Sequence, residues 1–205
     1  MGRGLFFMPL VVGLVIGGLV VGLPPASAAP LHEAAKTGEV EEAERLIQAG
    51  ADLEALDEDG ETPLTAAALA GQTAAVKLLI VRGGDIKGQN KGGFTVLHAA
   101  AHKGYIQIVE FALDRGAGID DQDNKAGITP LHAAAERDHL DIVKLLIERG
   151  ARIDLKELHG WTPVTRATFK AYKEVVKLLR QHGATCEPPN LVGERNFQFC
   201  MNLGG

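Results

Sequence analysis

One seven-residue phrase recurs along the chain at a nearly constant step. It reads Thr129-Pro130-Leu131-His132-Ala133-Ala134-Ala135 at its fullest, and one step earlier Thr95-Val96-Leu97-His98-Ala99-Ala100-Ala101. Before that comes Thr62-Pro63-Leu64-Thr65-Ala66-Ala67-Ala68. A truncated copy, Pro30-Leu31-His32-Glu33-Ala34-Ala35, opens the series, and a decayed one, Thr162-Pro163-Val164-Thr165-Arg166-Ala167-Thr168, closes it. Equivalent residues stand at 30, 63, 96, 130 and 163, so the steps are 33, 33, 34 and 33. A step of this length leaves each unit too small to bury its own apolar faces, so neighbours must stack into one continuous core.

Within a unit the residue types define two short helices. Threonine starts the first, with its hydroxyl placed to cap, and proline suits the first turn. The alanines let that helix lie close to its neighbours. Gly38, Gly71 and Gly104 end it, with Asp138 and Ala171 in the same place later. The second helix is amphipathic, as in Val76, Leu79 and Ile80; Ile106, Val109 and Leu113; Ile142, Leu145 and Leu146; and Val175, Leu178 and Leu179. Gly50, Gly83, Gly116, Gly150 and Gly183 close it, and a polar connection of about ten residues follows.

In phrase, period and trailing glycines, the chain from Pro30 to about Ala184 resembles an ankyrin array of five units. The resemblance implies an all-α solenoid of helix-turn-helix units with β-turn fingers. The units span 29–61, 62–94, 95–128, 129–161 and 162–186 and together make a repeat domain over 29–186; a tail of residues 187–205 follows. The end units read as polar caps. The first carries Glu39, Glu41, Glu42, Glu44 and Gln48; the last carries Thr165, Arg166 and Thr168 in place of small core residues and exposes Lys173, Lys177 and Arg180. The third connection is one residue longer than the others, at Asp120-Asp121-Gln122-Asp123-Asn124.

Ahead of the repeats, Arg3 precedes an uncharged run from Leu5 to Leu23, then Pro24-Pro25 and Ala26-Ser27-Ala28. A positive start, an apolar stretch and a small-x-small site describe a signal peptide over 1–28 with cleavage after Ala28. The 19-residue run is also near the minimum length of a membrane span, so an uncleaved anchor is the alternative. No cysteine follows the leader where a lipid anchor would need one. Cleavage leaves no membrane span, and the expected location is periplasmic or secreted.

The only cysteines are Cys186 and Cys200. In an exported chain they read as a disulfide, worth roughly 3 kcal/mol for a loop of this length; two thiols in a reducing compartment are the other reading. Glu187-Pro188-Pro189-Asn190 cannot continue a helix, and Phe197-Gln198-Phe199-Cys200 alternates like an extended segment. The expectation is a tail folded back on the last unit and pinned by Cys186–Cys200, the alternatives being a disordered tail or a peptide read by another protein.

The net charge of −5 hides a gradient. Residues 29–61 hold eleven acids against Lys36 and Arg45, a net of −9, whereas residues 162–186 hold five bases against Glu174, a net of +4. Such an axial dipole argues against nucleic-acid binding.

Catalytic chemistry finds little to work with. The sole serine, Ser27, lies in the leader, and neither cysteine lies in the repeat core. His32-Glu33-Ala34-Ala35-Lys36 fails as a zinc helix because Lys36 stands where the second histidine must be. His98, His102 and Glu136 could form a three-ligand zinc site, but His98 is the repeat's own histidine, which in ankyrin proteins makes structural hydrogen bonds. The acidic stretches 57–61 and 120–123 lack the spacing of a calcium loop and read as solvated fingers. The expected protein is not an enzyme and carries no cofactor or metal.

The resemblance implies binding of another protein through the fingers and the exposed ends of the first helices. The helix ends are Lys36-Thr37, Leu69-Ala70, His102-Lys103, Glu136-Arg137 and Phe169-Lys170. The finger residue before each threonine is Glu61, Phe94, Ile128 or Trp161, three of them large and apolar where a turn should be polar. Stacking in register makes Phe94, Ile128 and Trp161 a row flanked by Leu69 and Phe169, with the signature of a binding face; packing of finger on finger, or cover by Phe197 and Phe199, is the plainer reading. A monomer is expected, with end-to-end self-association as the rival the dipole suggests. Resemblance to exported ankyrin proteins of Gram-negative bacteria leaves two roles open: an adaptor for an envelope enzyme, or an inhibitor or immunity protein over an active site. A metal- or redox-linked protein using His98, His102 and the cysteines is the alternative of another class.

Overall fold

The computed structural model describes residues 29–203; the leader expected over 1–28 lies outside them. Among the described residues there are twelve helices and no strand. Ten of them form five antiparallel pairs: α1 (Ala29–Thr37) with α2 (Val40–Gln48), α3 (Pro63–Leu69) with α4 (Thr73–Val81), and α5 (Val96–Lys103) with α6 (Ile106–Asp114). The others are α7 (Pro130–Glu136) with α8 (Leu140–Glu148), and α9 (Pro163–Phe169) with α10 (Lys173–Gln181). Odd-numbered helices pack in succession as an inner layer and even-numbered ones as an outer layer.

The helices start and stop for local reasons. The Thr62 hydroxyl accepts from the Thr65 N–H at 3.1 Å, and the Thr129 hydroxyl from the His132 N–H at 3.2 Å. Proline occupies the first turn of α3, α7 and α9, where a missing N–H costs nothing. Ala67, Ala100 and Ala134 are wholly buried, so no side chain holds the inner helices apart. Val76 and Leu79, Ile108 and Val109, Ile142 and Leu146, and Val175 and Leu179 fill the space between the layers.

Each finger is closed by a side chain that the repeat phrase does not include. Asp57, Asn90, Asn124 and Glu157 each accept, through a side-chain oxygen, the N–H of the residue four positions on, at 2.9 to 3.3 Å. Backbone bonds then tie finger to finger: Lys91 N–H to the Gly60 carbonyl at 2.7 Å and Leu158 N–H to the Ala126 carbonyl at 2.9 Å. The fingers form a connected edge.

Two expectations about the C-terminal end are corrected. Thr165, Arg166 and Thr168 do not form a polar outer face. All three point inward, with Arg166's side chain only 12% exposed and in ion pairs with Glu136 and Glu157. Thr168 donates to the Val164 carbonyl at 2.7 Å, an intrahelical bond that lets a hydroxyl be buried. Phe197–Cys200 is not extended either. Pro189 opens a short α11 (Pro189–Val192), and α12 (Glu194–Asn202) follows Gly193, whose φ is +81°. With no strand beside it, an extended segment would leave its backbone unpaired, whereas a helix satisfies it internally. Cys200 and Leu203 turn inward with Asn196 and Phe199, at helical spacing. Helix α12 packs on α9, and Cys186 and Cys200 form a disulfide with Cα atoms 5.9 Å apart.

The inner-helix terminators provide an internal comparison. Gly71 ends α3 at φ +74°, and a Cβ there would sit 2.6 Å from the Tyr105 ring. Asp138 and Ala171 hold the same left-handed conformation at φ +61° and +59° without being glycine. Alanine has no side chain to stabilise this geometry, so Ala171→Gly should raise stability by roughly 0.5–1 kcal/mol, strain relief exceeding the added unfolded-state entropy. Gly71→Ala should destabilise by more than that. Urea denaturation of the two variants checks both signs.

Candidate protein-binding surface

Three inner-helix histidines fix the fingers from below. His98 Nε2 bonds the Ile128 carbonyl at 2.8 Å and the Asp121 carbonyl at 3.2 Å. His132 Nε2 bonds the Trp161 carbonyl at 3.0 Å, and His32 Nε2 the carbonyls of Glu61 and Ala55, both at 2.9 Å. Carbonyls only accept, so in each case Nε2 carries the proton. Nδ1 of His98 and of His132 accepts from the N–H of the capping threonine, at 3.3 and 3.2 Å. Both rings are therefore neutral and both nitrogens are occupied, which leaves His98 no lone pair for a metal. No group of three His, Cys, Asp or Glu side chains is arranged to hold a metal ion among the described residues.

The carbonyls gripped in this way belong to Glu61, Ile128 and Trp161, the finger residues singled out in the sequence. Phe94 is held differently. Its unit has Thr65 in the histidine's place, so Phe94 keeps only the closure the fingers share, its N–H and carbonyl bonding the Asn90 side chain and N–H, both at 2.9 Å.

Six of the expected contact residues converge on one cleft of about 270 Å³ between the fingers and the inner helices. Glu61, Phe94 and Ile128 come from three successive fingers; Leu69, His102 and Glu136 come from the ends of α3, α5 and α7. Asn90, His98, Ala99 and Ala133 complete the lining, which is mostly apolar. Phe94, Ile128 and Trp161 are half-buried, less exposed than a free row would be. The Phe94 ring meets His98 edge-on with centroids 5.6 Å apart.

Trp161 stands beyond this cleft rather than in it. Its ring lies between Phe169, at 4.8 Å, and His159, at 5.5 Å. Phe169 is 40% exposed and also faces the groove beneath α12, which Phe199 shares. Lys103, Arg137 and Lys170 are exposed at the inner-helix ends. Arg137 donates to His102 Nε2 at 2.9 Å, and burial first, then the charges of Arg137 and Lys103, lower the His102 pKa. His102 therefore faces the cleft as a neutral ring.

Beneath Trp161 lies a charge cluster that the sequence did not announce. The Glu157 carboxylate has no exposure and receives the His159 ring at 3.0 Å, the His159 N–H at 3.1 Å and the Trp161 N–H at 3.3 Å. Arg166 approaches it at 3.5 Å while binding Glu136 at 2.5 Å. Burial alone would raise the Glu157 pKa, but these bonds and the guanidinium outweigh it and hold the carboxyl below its usual range. The sequence signal was there: Glu157 occupies the finger position of Asp57, Asn90 and Asn124, and Arg166 that of Ala66, Ala99 and Ala133.

A stack of helix-turn-helix units that presents fingers and inner-helix ends as one continuous face defines a repeat scaffold for protein–protein interaction. The chain belongs to the ankyrin repeat family: the family model described as ankyrin repeats (3 copies) matches residues 31–123 and 117–190. No curated protein matches the chain significantly.

Burial pulls the His132 pKa down to about 4 from the usual 6.5, outweighing the bond to the Trp161 carbonyl that acts to raise it. The unfolded chain thus binds this proton more readily than the folded one. The stabilising effect of a neutral His132 is complete above pH 6.5 and is lost as pH falls towards 4, about 3 kcal/mol in all. His132→Thr, which copies the chain's own Thr65 and Thr165, should lower stability at pH 7.5 yet flatten its fall between pH 6.5 and 4. Urea midpoints across that range decide; an unchanged slope would place the acid sensitivity elsewhere.

Proposed function

We propose that the chain is a non-catalytic scaffold acting in an exported compartment, where it binds a partner protein through the finger and inner-helix face. The carrying observation is convergence: Glu61, Leu69, Phe94, His102, Ile128 and Glu136, drawn from three fingers and three helices, meet on one cleft. Export rests on the leader's charge, apolar run and Ala26-Ser27-Ala28 site, and the disulfide suits an oxidising compartment. Among the described residues no helix is long and apolar enough to cross a membrane.

The test is a pull-down from soluble envelope extract with residues 29–205 as bait, beside a Phe94/Ile128/Trp161→Ser variant that folds normally. A partner should be captured by the wild type and lost by the variant; equal capture would move the site to the acidic first unit or the tail. With the partner in hand, Trp161→Ala should weaken binding by more than about 1 kcal/mol without changing the circular dichroism. A captured hydrolase or toxin that loses activity on binding would assign the inhibitor role; one that keeps its activity and gains stability, the adaptor role. Protein recovered from the producing cell should begin at Ala29 and contain no free thiol by mass spectrometry.

A further inference from the structure

The cleft described above has one wall whose charge is unanswered. Glu61 and Glu136 both reach it, but Glu136 is already neutralised by Arg166 at 2.5 Å. No cation lies within ion-pair distance of Glu61 among the described residues. Its two oxygens instead receive the Asn90 amide at 2.9 and 3.0 Å. That amide cannot turn away, because its oxygen is fixed by the N–H groups of Gly92 and Phe94, each at 2.9 Å. The Glu61 carboxyl is therefore held in place, without a cation paired to it, at the edge of an apolar cleft.

The neighbouring charges favour the same sign of ligand on that side. Glu61 closes a unit with a net charge of −9, in which Lys36 is occupied by Asp57 at 2.7 Å and Asp59 at 3.7 Å. His98 below is neutral, and His102 opposite is neutral and held by Arg137. The exposed cations Lys103 and Arg137 stand on the inner-helix ends, Arg137 bonded to His102, and exposed Lys91 packs its stem on Gly60 without pairing with Glu61. At about 270 Å³ the space is below the usual range for a drug-sized ligand and suits a single side chain.

We infer that this cleft is the seat of a lysine or arginine side chain from the protein partner. Its aliphatic stem lies along Leu69, Phe94 and Ile128, and its charge meets Glu61. This rests on the proposed binding face and adds the chemistry of its central contact. A cation over the Phe94 ring adds to the attraction without changing the geometry.

Blocked pentapeptides Gly-Gly-X-Gly-Gly, with X as arginine, lysine, norleucine or glutamate, separate the possibilities. They are titrated into residues 29–205 while the Leu69 and Ile128 methyl and Phe94 ring signals are followed by NMR. The arginine and lysine peptides should shift these signals and saturate. Glu61→Gln, which keeps the bond to Asn90, should weaken them roughly fivefold. Glu58→Gln removes the same charge from an exposed position of the same unit and should leave binding unchanged. Equal binding of norleucine, binding of the glutamate peptide, equal sensitivity to both variants, or no shift with any peptide overturns the inference. The binding face is judged separately: a partner lost by the Phe94/Ile128/Trp161→Ser variant but fully retained by Glu61→Gln sinks the cation while leaving the face standing.

Discussion

The structure depends on a bond that joins two kinds of surface. An imidazole buried on an inner helix donates to a carbonyl in the finger beyond it, so a helix in the core and an exposed turn move as one body. In units 1, 3 and 4 that carbonyl belongs to Glu61, Ile128 and Trp161. Cores are rigid and turns ordinarily are not; coupling them gives exposed side chains the positional precision of the interior. The bond alone would favour the protonated ring; burial outweighs it, keeps the imidazole neutral and pulls the His132 pKa to about 4.

Unit 2 shows what happens where the bond is missing. Thr65 replaces the histidine and spends its hydroxyl on Thr62, so no hydrogen bond from that position reaches the finger of Phe94. That finger is fastened sideways instead, through Asn90 to Glu61 and through Lys91 N–H to the Gly60 carbonyl. The position of Phe94 is thereby tied to the orientation of Glu61 one unit away. The two residues that most define the cleft are linked by a single amide.

The fold was legible because a repeat states its own register. Period, capping threonines, buried alanines and terminal glycines express one local geometry from unit to unit, and even the substitutes Asp138 and Ala171 keep it. The finger residues were legible for the same reason, since an apolar residue at a polar position stands out against its repeats. What escaped was whatever breaks the repeat through pairing. Arg166 reads as a polar cap until Glu157 and Glu136 are placed against it, and neither lies near it in sequence. The tail escaped for a related reason: the alternation Phe197-Gln198-Phe199 describes a strand only if another strand is there to pair with it. On the flank of α9 the helix wins, because it satisfies its own backbone and still turns Cys200 inward.

The two ends of the stack solve the problem of an open solenoid differently. At the C-terminal end the flank of α9 is covered by α12, fastened by Cys186–Cys200, and Arg166 is paired with Glu157 and Glu136. At the N-terminal end no such cover lies against α1 among the described residues. There the first unit's net charge of −9 opposes stacking of a like-charged surface. Charge left at an end stays available to a ligand, whereas a flank covered by a packed helix does not. The same acids that end the stack therefore set the field around the cleft one unit further in. On the proposed reading, a basic partner is attracted and seated by the same end of the array.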